Sequence, residues 1–321
     1  MLRTIAGMAA LPALASFADN YPSRAVRLVV PFTPGGSSDV LARAISGELA
    51  RDIGQPVVID NIAGAGGSVG AERVAKAQAD GYTLLMGHIG TLAVNPWLYP
   101  KLGYDPLRSF TPVAWIARVP NVLVVHPSVP ARTLAELVQY AKSHPGKLAY
   151  GSGGNGSAAH LATEYLKMQA GISMLHIPYR GTAPAVTDLI AGQVQVLFTG
   201  TPALLPQIRA GRMRALAVSS RERIASLPDV PTVAETGVAG TKGFEADQWY
   251  GIVAPAGTPA DAIALLNRNV NRELESNEVR ARLASEGAQP SPATPQAFGH
   301  LIESELTRWE KVIGAAHIRA E

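Results

Sequence analysis

Short unbroken apolar runs and longer runs with helical spacing alternate along most of this chain. Residues 26–30 are apolar at four of five positions, the pattern of a short buried strand, and Pro31, Pro34, Gly35 and Gly36 end it. Directly after Asp39, the positions Val40, Leu41, Ala44, Ile45 and Leu49 mark the inner face of a helix that Gly54 closes. The same parts then recur: a strand at 57–60, a glycine-rich corner at 61–70, a helix at 71–79 and a strand at 82–87 that leads into a polar loop. A strongly apolar strand at 122–127 reads as a crossing point between two halves of the molecule. Beyond it come a helix opened by the capping box Thr133-Leu134-Ala135-Glu136, a strand at 148–150, a third corner at 151–157 and a helix at 158–169. Strands at 176–179, 194–198 and 214–218 follow, with a helix from Ala183-Pro184 to Gly192. A second crossing strand is expected at 248–255, and then two amphipathic helices, 258–287 and 294–315, each with Thr as cap and Pro at the first helical position. Strand, glycine corner and helix in repeated order predict an α/β fold with parallel sheets and helices on their faces.

The corners carry the candidate chemistry. Each delivers a strand onto a helix N-terminus, where unpaired main-chain N–H groups and the positive end of the helix dipole favour an anion. Gly35-Gly36-Ser37-Ser38-Asp39 and Gly151-Ser152-Gly153-Gly154-Asn155-Gly156-Ser157 are the two richest, and hydroxyls and amides suit a small anion. Asp39 lies where a capping role is expected, and His160, in the first turn after the third corner, either faces that corner's ligand or packs on its helix. Gly151, Gly153 and Gly156 match a dinucleotide fingerprint, but residues 173–176 offer no carboxylate for a ribose. No Gly-x-Ser-x-Gly elbow adjoins a strand, and His88, His126, His144, His160 and His176 lack the spacing of a helical metal site. The pattern describes binding better than turnover, with no cofactor and no metal.

Composition narrows this further. The 321 residues allow two domains, the formal charge of +3 is slight, and no Lys/Arg block is present, so no nucleic-acid partner is expected. The absence of cysteine excludes disulfides, thiol catalysis and thiolate metal sites. Residues 1–18 have the order of a secretory signal, Arg3 and then a small-residue apolar run ending at Ser16-Phe17-Ala18. Export and a mature chain from about Asp19 are expected.

Five motifs in order carry a resemblance: Pro31-Phe32-x-Pro34-Gly35-Gly36-x-x-Asp39, Asn61-x-x-Gly64-Ala65-Gly66-Gly67, Asp80-Gly81-Tyr82-Thr83-Leu84, His176-x-Pro178-Tyr179-Arg180-Gly181, and Pro231-Thr232-x-x-Glu235-x-Gly237 with Ala254-Pro255-Ala256-Gly257-Thr258-Pro259. The chain resembles the Bug family of extracytoplasmic solute receptors, the substrate-binding subunits of tripartite tricarboxylate transporters. The resemblance covers essentially the whole mature chain. It implies a two-lobed type II periplasmic binding-protein fold, with 19–121 plus 243–321 as one lobe, 122–242 as the other, and two crossing hinge strands between them. It implies a small carboxylate as ligand, large and small membrane subunits as partners, a periplasmic location and a monomer. Ligand contacts are implied at Thr33, Gly35, Gly36, Ser37 and Asp39, at Gly66, and at His88, Gly90 and Thr91. Further contacts are implied at Ser152, Gly153, Asn155, Gly156, Ser157 and His160, and at Tyr179, Arg180 and Gly181. At position 199, where the family often has an Asp that favours amine-bearing ligands, this chain has Thr199. Two alternatives stand beside the transport receptor: a dinucleotide-dependent enzyme, and a periplasmic sensor receptor with a different partner.

Overall fold

The computed structural model describes residues 21–316, so the expected signal, residues 1–18, lies outside the described residues. Two mixed sheets, each flanked by helices, organise the chain. In the first, β1 (Val26–Val30) pairs in parallel with β2 (Val57–Asn61) and β3 (Thr83–His88). Antiparallel β10 (Gln248–Pro255), β4 (Phe110–Val119) and the two-residue β11 (Gln289–Pro290) complete the order β11-β4-β10-β3-β1-β2. In the second, β6 (Ala149–Ser152) pairs in parallel with β7 (Leu175–Pro178) and β8 (Val196–Gly200), while β5 (Asn121–Val125) runs antiparallel to β8 and β9 (Arg214–Val218), giving β7-β6-β8-β5-β9.

The period of two along β1 assigns its residues to opposite faces. Leu28 and Val30 pack with Leu41, Ile45 and Leu49 of α1 (Ser37–Ile53) and with Leu266, Val270 and Leu274 of α8 (Ala260–Glu275). Val29 points the other way, into a cluster with Trp249, Val253 and the Phe298, Ile302, Leu306 and Trp309 stripe of α10 (Pro295–Ala316). Ala158 and Leu161, from the first turn of α5 (Ala158–Ala170) on the second sheet, join that same cluster. The two halves therefore share apolar packing as well as a chain. The second sheet has its own core around Leu123, Tyr150, Leu166, Phe198 and Phe244.

The chain passes between sheets with Pro120 alone separating β4 from β5, and it returns where Ala246, packed in the second core, is followed by Asp247 and β10. Several elements differ from the sequence expectation. β4 carries Pro112, which reads as a strand breaker, yet it is tolerated inside a ten-residue strand at one of the register shifts of the β4–β10 pair. The single helix expected from 258 to 287 divides at Ser276, whose hydroxyl accepts from Val279 N at 3.2 Å and caps α9 (Asn277–Ser285). Thr294 caps α10 as expected, accepting from Ala297 N at 3.1 Å, but Thr258 turns its hydroxyl back to the Pro255 carbonyl and Pro259 takes the cap position of α8. The polar loop expected after β3 is a buried π-helical turn (Gly90–Val94) running into α3 (Asn95–Leu98), because Leu92, Ala93, Val94 and Leu98 fill the apolar cluster.

Gly251 sits in mid-strand because Phe298 needs the space: a Cβ there would lie 2.2 Å from Phe298 Cζ and 2.7 Å from the Ala114 carbonyl. Gly251→Ala is expected to cost about 1–3 kcal/mol and lower Tm in a calorimetric scan. Gly47→Ala, on the exposed face of α1 with open space around it, is expected to raise stability by about 1 kcal/mol. A Tm for Gly251→Ala at or above the parent would refute this packing.

Candidate functional site

The loops at the carboxyl ends of the parallel strands in both sheets face one another. The first corner links β1 to α1. Gly35, with φ of 82°, makes the turn, and Gly36 is the helix cap. Asp39 accepts hydrogen bonds from Gly35 N (2.9 Å), Arg43 Nε (2.9 Å) and Asn61 Nδ2 (3.1 Å), so it braces the loop from behind. Burial would raise its pKa, but the bonds from Arg43, Gly35 and Asn61 outweigh this and hold the carboxylate below its usual range.

The third corner, between β6 and α5, is braced by side chains of its own. Ser152 Oγ accepts from Gly154 N at 3.1 Å and shares a 2.6 Å hydrogen bond with His176 Nε2. His160 Nδ1 accepts from Gly156 N at 3.2 Å, and its main-chain N–H donates to the capping hydroxyl of Ser157. The His160 ring stacks on His176 at 4.3 Å, and His176 stacks on Tyr150 at 4.7 Å. Burial lowers the His160 pKa to about 4 and keeps the imidazole neutral. A further corner opens α6 (Thr182–Ile190) with Gly181 as cap; Tyr179 Oη donates to Asp188 Oδ2 at 2.6 Å, and Arg180 is exposed.

These corners close over one cavity, lined by Phe32, Gly36, Ser37, Ser38, His88, Ser157, Ala158, Ala159, Thr182, Thr199, Gln248 and Tyr250. Its interior is narrow, with room for about one water molecule. The halves are thus shut on each other. The first turns of α1, α5 and α6 all end at its wall, bringing three sets of helix N-terminal N–H groups together. No Lys, Arg, Asp or Glu lines it.

His88 and Tyr250 are its titratable groups, and both are neutral. Burial lowers His88 to about 3 and raises the Tyr250 phenol far above its ordinary value. His88 Nδ1 accepts from Thr91 N at 3.2 Å, and a ring nitrogen that accepts an N–H carries no proton; the hydrogen is on Nε2. Phe32 meets the same ring edge-on at 4.7 Å. Tyr250 Oη donates to Gln248 Oε1, Gln248 Nε2 donates to Asn121 Oδ1, and Asn121 Nδ2 donates to the Ala246 carbonyl at 2.5 Å. Asn121 N also donates to Ser219 Oγ at 2.8 Å, and that hydroxyl donates to Asp247 Oδ1. The cavity floor is therefore wired into both segments that cross between the sheets.

Of the residues expected from sequence, Gly36, Ser37, His88, Ser157 and Thr199 line the cavity. Asp39, Thr91, Ser152, His160 and Tyr179 bond to groups within their own corners. Gly153 lies just behind the Ser157 wall, where a Cβ would come within 3.4 Å of Ser157 Cβ. A third group stands where the halves touch. A Cβ on Gly66 would lie 2.1 Å from the Asn155 carbonyl, one on Gly90 2.7 Å from the Gly156 carbonyl, and one on Gly181 2.3 Å from Thr33 Oγ1. Gly35 faces Ala183 with less crowding, at 3.7 Å. Phe32, Ser38, Ala158, Ala159, Thr182, Gln248 and Tyr250 line the cavity without having been singled out. Phe32 and Ser38 adjoin residues that were; Gln248 and Tyr250 come from a strand far along the chain and carry no local signal.

Residues 41–318 match the family described as "Tripartite tricarboxylate transporter family receptor". The chain is 42% identical over 297 residues to "Protein BugT" of Bordetella pertussis, covering 92% of this chain and 90% of that one. Among solved structures, Rpa4515 of R. palustris with adipate superposes with a TM-score of 0.90 at 42% identity, covering 93% of this chain and 99% of that one. MatC of Rhodopseudomonas palustris with bound malate gives 0.86 at 38% identity, over 91% and 100%. With the family matched over most of its length and the fold shared nearly end to end, this chain belongs to the receptors of the tripartite tricarboxylate transporter family.

Proposed function

We propose that the protein is a periplasmic receptor that closes on a small carboxylate and presents it to the large and small membrane subunits of a tripartite transporter. The observation that carries this reading is the meeting of helix N-termini from both halves at one cavity without a charged side chain. An ionised carboxylate there accepts main-chain N–H groups from α1 on one side and α5 and α6 on the other, with the His88 Nε2–H as a neutral donor. Three charge-assisted hydrogen bonds at about 1.5–3 kcal/mol each correspond to roughly millimolar to micromolar affinity, tight enough to capture and weak enough to release. Malate and adipate in the two relatives are small carboxylates. Thr199 adds no negative charge to hold an amine, so plain carboxylic acids are favoured over amino acids.

In this reading the molecule is a monomer whose lobes meet at Pro120 and at Ala246–Gln248 and hinge there, and no chemical step is asked of any residue. The Gln248–Asn121–Ser219 network is the element through which a filled cavity stiffens the hinge.

Calorimetric titration with malate, adipate, citrate and aspartate tests the ligand class: binding of one or more of the first three, tighter than aspartate, is expected. Ser157→Asp keeps a good helix cap and places a negative charge beside the anion, so affinity should fall at least a hundredfold with little change in Tm. Undiminished affinity in that variant refutes the site.

The neutral histidines give a pH signature. His88 at about 3 and His160 at about 4 stay unprotonated in the fold, whereas the same side chains in the unfolded chain take up protons below about 6.5. Their contribution is complete above about pH 6.5 and is lost as pH falls from there toward 4, by up to about 1.4 kcal/mol per pH unit for each. Tm should therefore decline below pH 6.5, and His88→Gln should flatten the decline. Malate affinity should vary less than about twofold between pH 7 and 9, since no group lining the cavity titrates there.

A further inference from the structure

Away from the hinge, a side chain of the first lobe reaches main chain of the second. Tyr99, at the end of α3 in the first lobe, donates from Oη to the Asn155 carbonyl of the second at 2.6 Å. The peptide between Asn155 and Gly156 is thereby held at both ends, since its N–H donates to His160 Nδ1 within its own lobe. Gly66 abuts the same carbonyl so closely that a Cβ would fall 2.1 Å from it and 3.1 Å from Tyr99 Oη. Gly66 is itself fixed by Asn95, whose Nδ2 donates to the Gly66 carbonyl at 3.2 Å and to Ser68 Oγ at 2.8 Å. None of Tyr99, Asn155, Gly66 and Asn95 lines the cavity. The apex of the third corner is thus gripped from across the cleft immediately before Ser157 and Ala158, which do line it.

We propose that Tyr99 is a closure latch, a positioning residue that sets how long the ligand is held without touching it. This rests on the receptor reading, because the held corner supplies the α5 N–H groups assigned there to the carboxylate. In the open form the Asn155 carbonyl and the Tyr99 hydroxyl exchange these partners for water, so the bond contributes its modest net value to the closed state alone. The contact is a tight one that only glycine at position 66 permits, so the latch engages only when the lobes are fully shut.

The native chain has no cysteine, so a single introduced pair labels it without background. Lys76→Cys on α2 (Ser68–Ala75 and the residue after it) and Met168→Cys on α5, both exposed, would carry dyes for single-molecule energy transfer across the cleft. The closed-to-open ratio is measured without added acid and with malate. Tyr99→Phe keeps the ring and removes the donor; the ratio should fall roughly three- to tenfold, and the malate off-rate should rise by the same factor with the on-rate little changed. Gly66→Ala, with Tyr99 intact, should shift the population to the open form more strongly. A ratio unchanged by Tyr99→Phe, a parent protein open under both conditions, or a Tm loss in Tyr99→Phe as large as that of Gly251→Ala overturns the latch. Because the distance is read without ligand, failure of malate to bind counts against the receptor reading and leaves the latch to be judged on the distances.

Discussion

Everything in this molecule depends on helix N-termini from two separate sheets reaching one small cavity. A helix end with no internal partner for its first N–H groups is a cost when buried, and a protein ordinarily satisfies it with side chains or water. Here Gly36 and Gly181 have no side chain to cap with, and Ser157 covers only His160 N, so first-turn N–H groups of α1, α5 and α6 are left at the space between the halves. In the receptor reading proposed above, these donors form an anion site whose strength comes from geometry. A guanidinium at this place would bind more tightly but would need its own neutralisation when the cleft is empty. Neutral dipoles need none, and the same choice explains why the imidazole of His88 is buried deeply enough to stay uncharged.

The ionisable residues near the site act as scaffolding. Asp39 spends its carboxylate on Gly35, Arg43 and Asn61, and Tyr179 gives its hydroxyl to Asp188. His160 and His176 form a stacked pair under the third corner, one held by Gly156 and the other by Ser152. Each fixes a loop whose main chain borders the cavity. Rigidity of that kind matters because three N–H groups on different elements must converge to within a fraction of an ångström for an anion to accept all of them.

Much of this was legible in the sequence because strand, glycine corner and helix are local patterns. The apolar run before Pro31, the helical spacing after Asp39 and the Ser157 cap each announce themselves within a few residues. The parts that were missed depend on distant ones. β4 hides behind Pro112 and is recognisable only once β10 is beside it, while Gln248 and Tyr250 reach the cavity through a strand nearly a hundred residues after the third corner. The turn at Gly90–Val94 reads as polar from His88 and Thr91, yet its apolar residues are claimed by α10, which is specified two hundred residues later. The glycines were legible as special but not as to purpose. Conformational freedom explains the positive φ of Gly35, whereas Gly90 needs no unusual backbone angle and is small because the His88 ring of its own half and Gly156 of the facing half both come so near.

That last distinction has a consequence for how such a receptor can change. The halves fit closely at Gly66, Gly90 and Gly181, whereas Thr199, Gln248 and Tyr250 line the cavity and take no part in those contacts. In the proposed receptor reading, substitution can therefore redraw what the cleft accepts without retuning the motion that shuts it. On that reading one frame can serve acids of different length and polarity, and a descendant of this chain can acquire a new diet while its mechanics remain as they are.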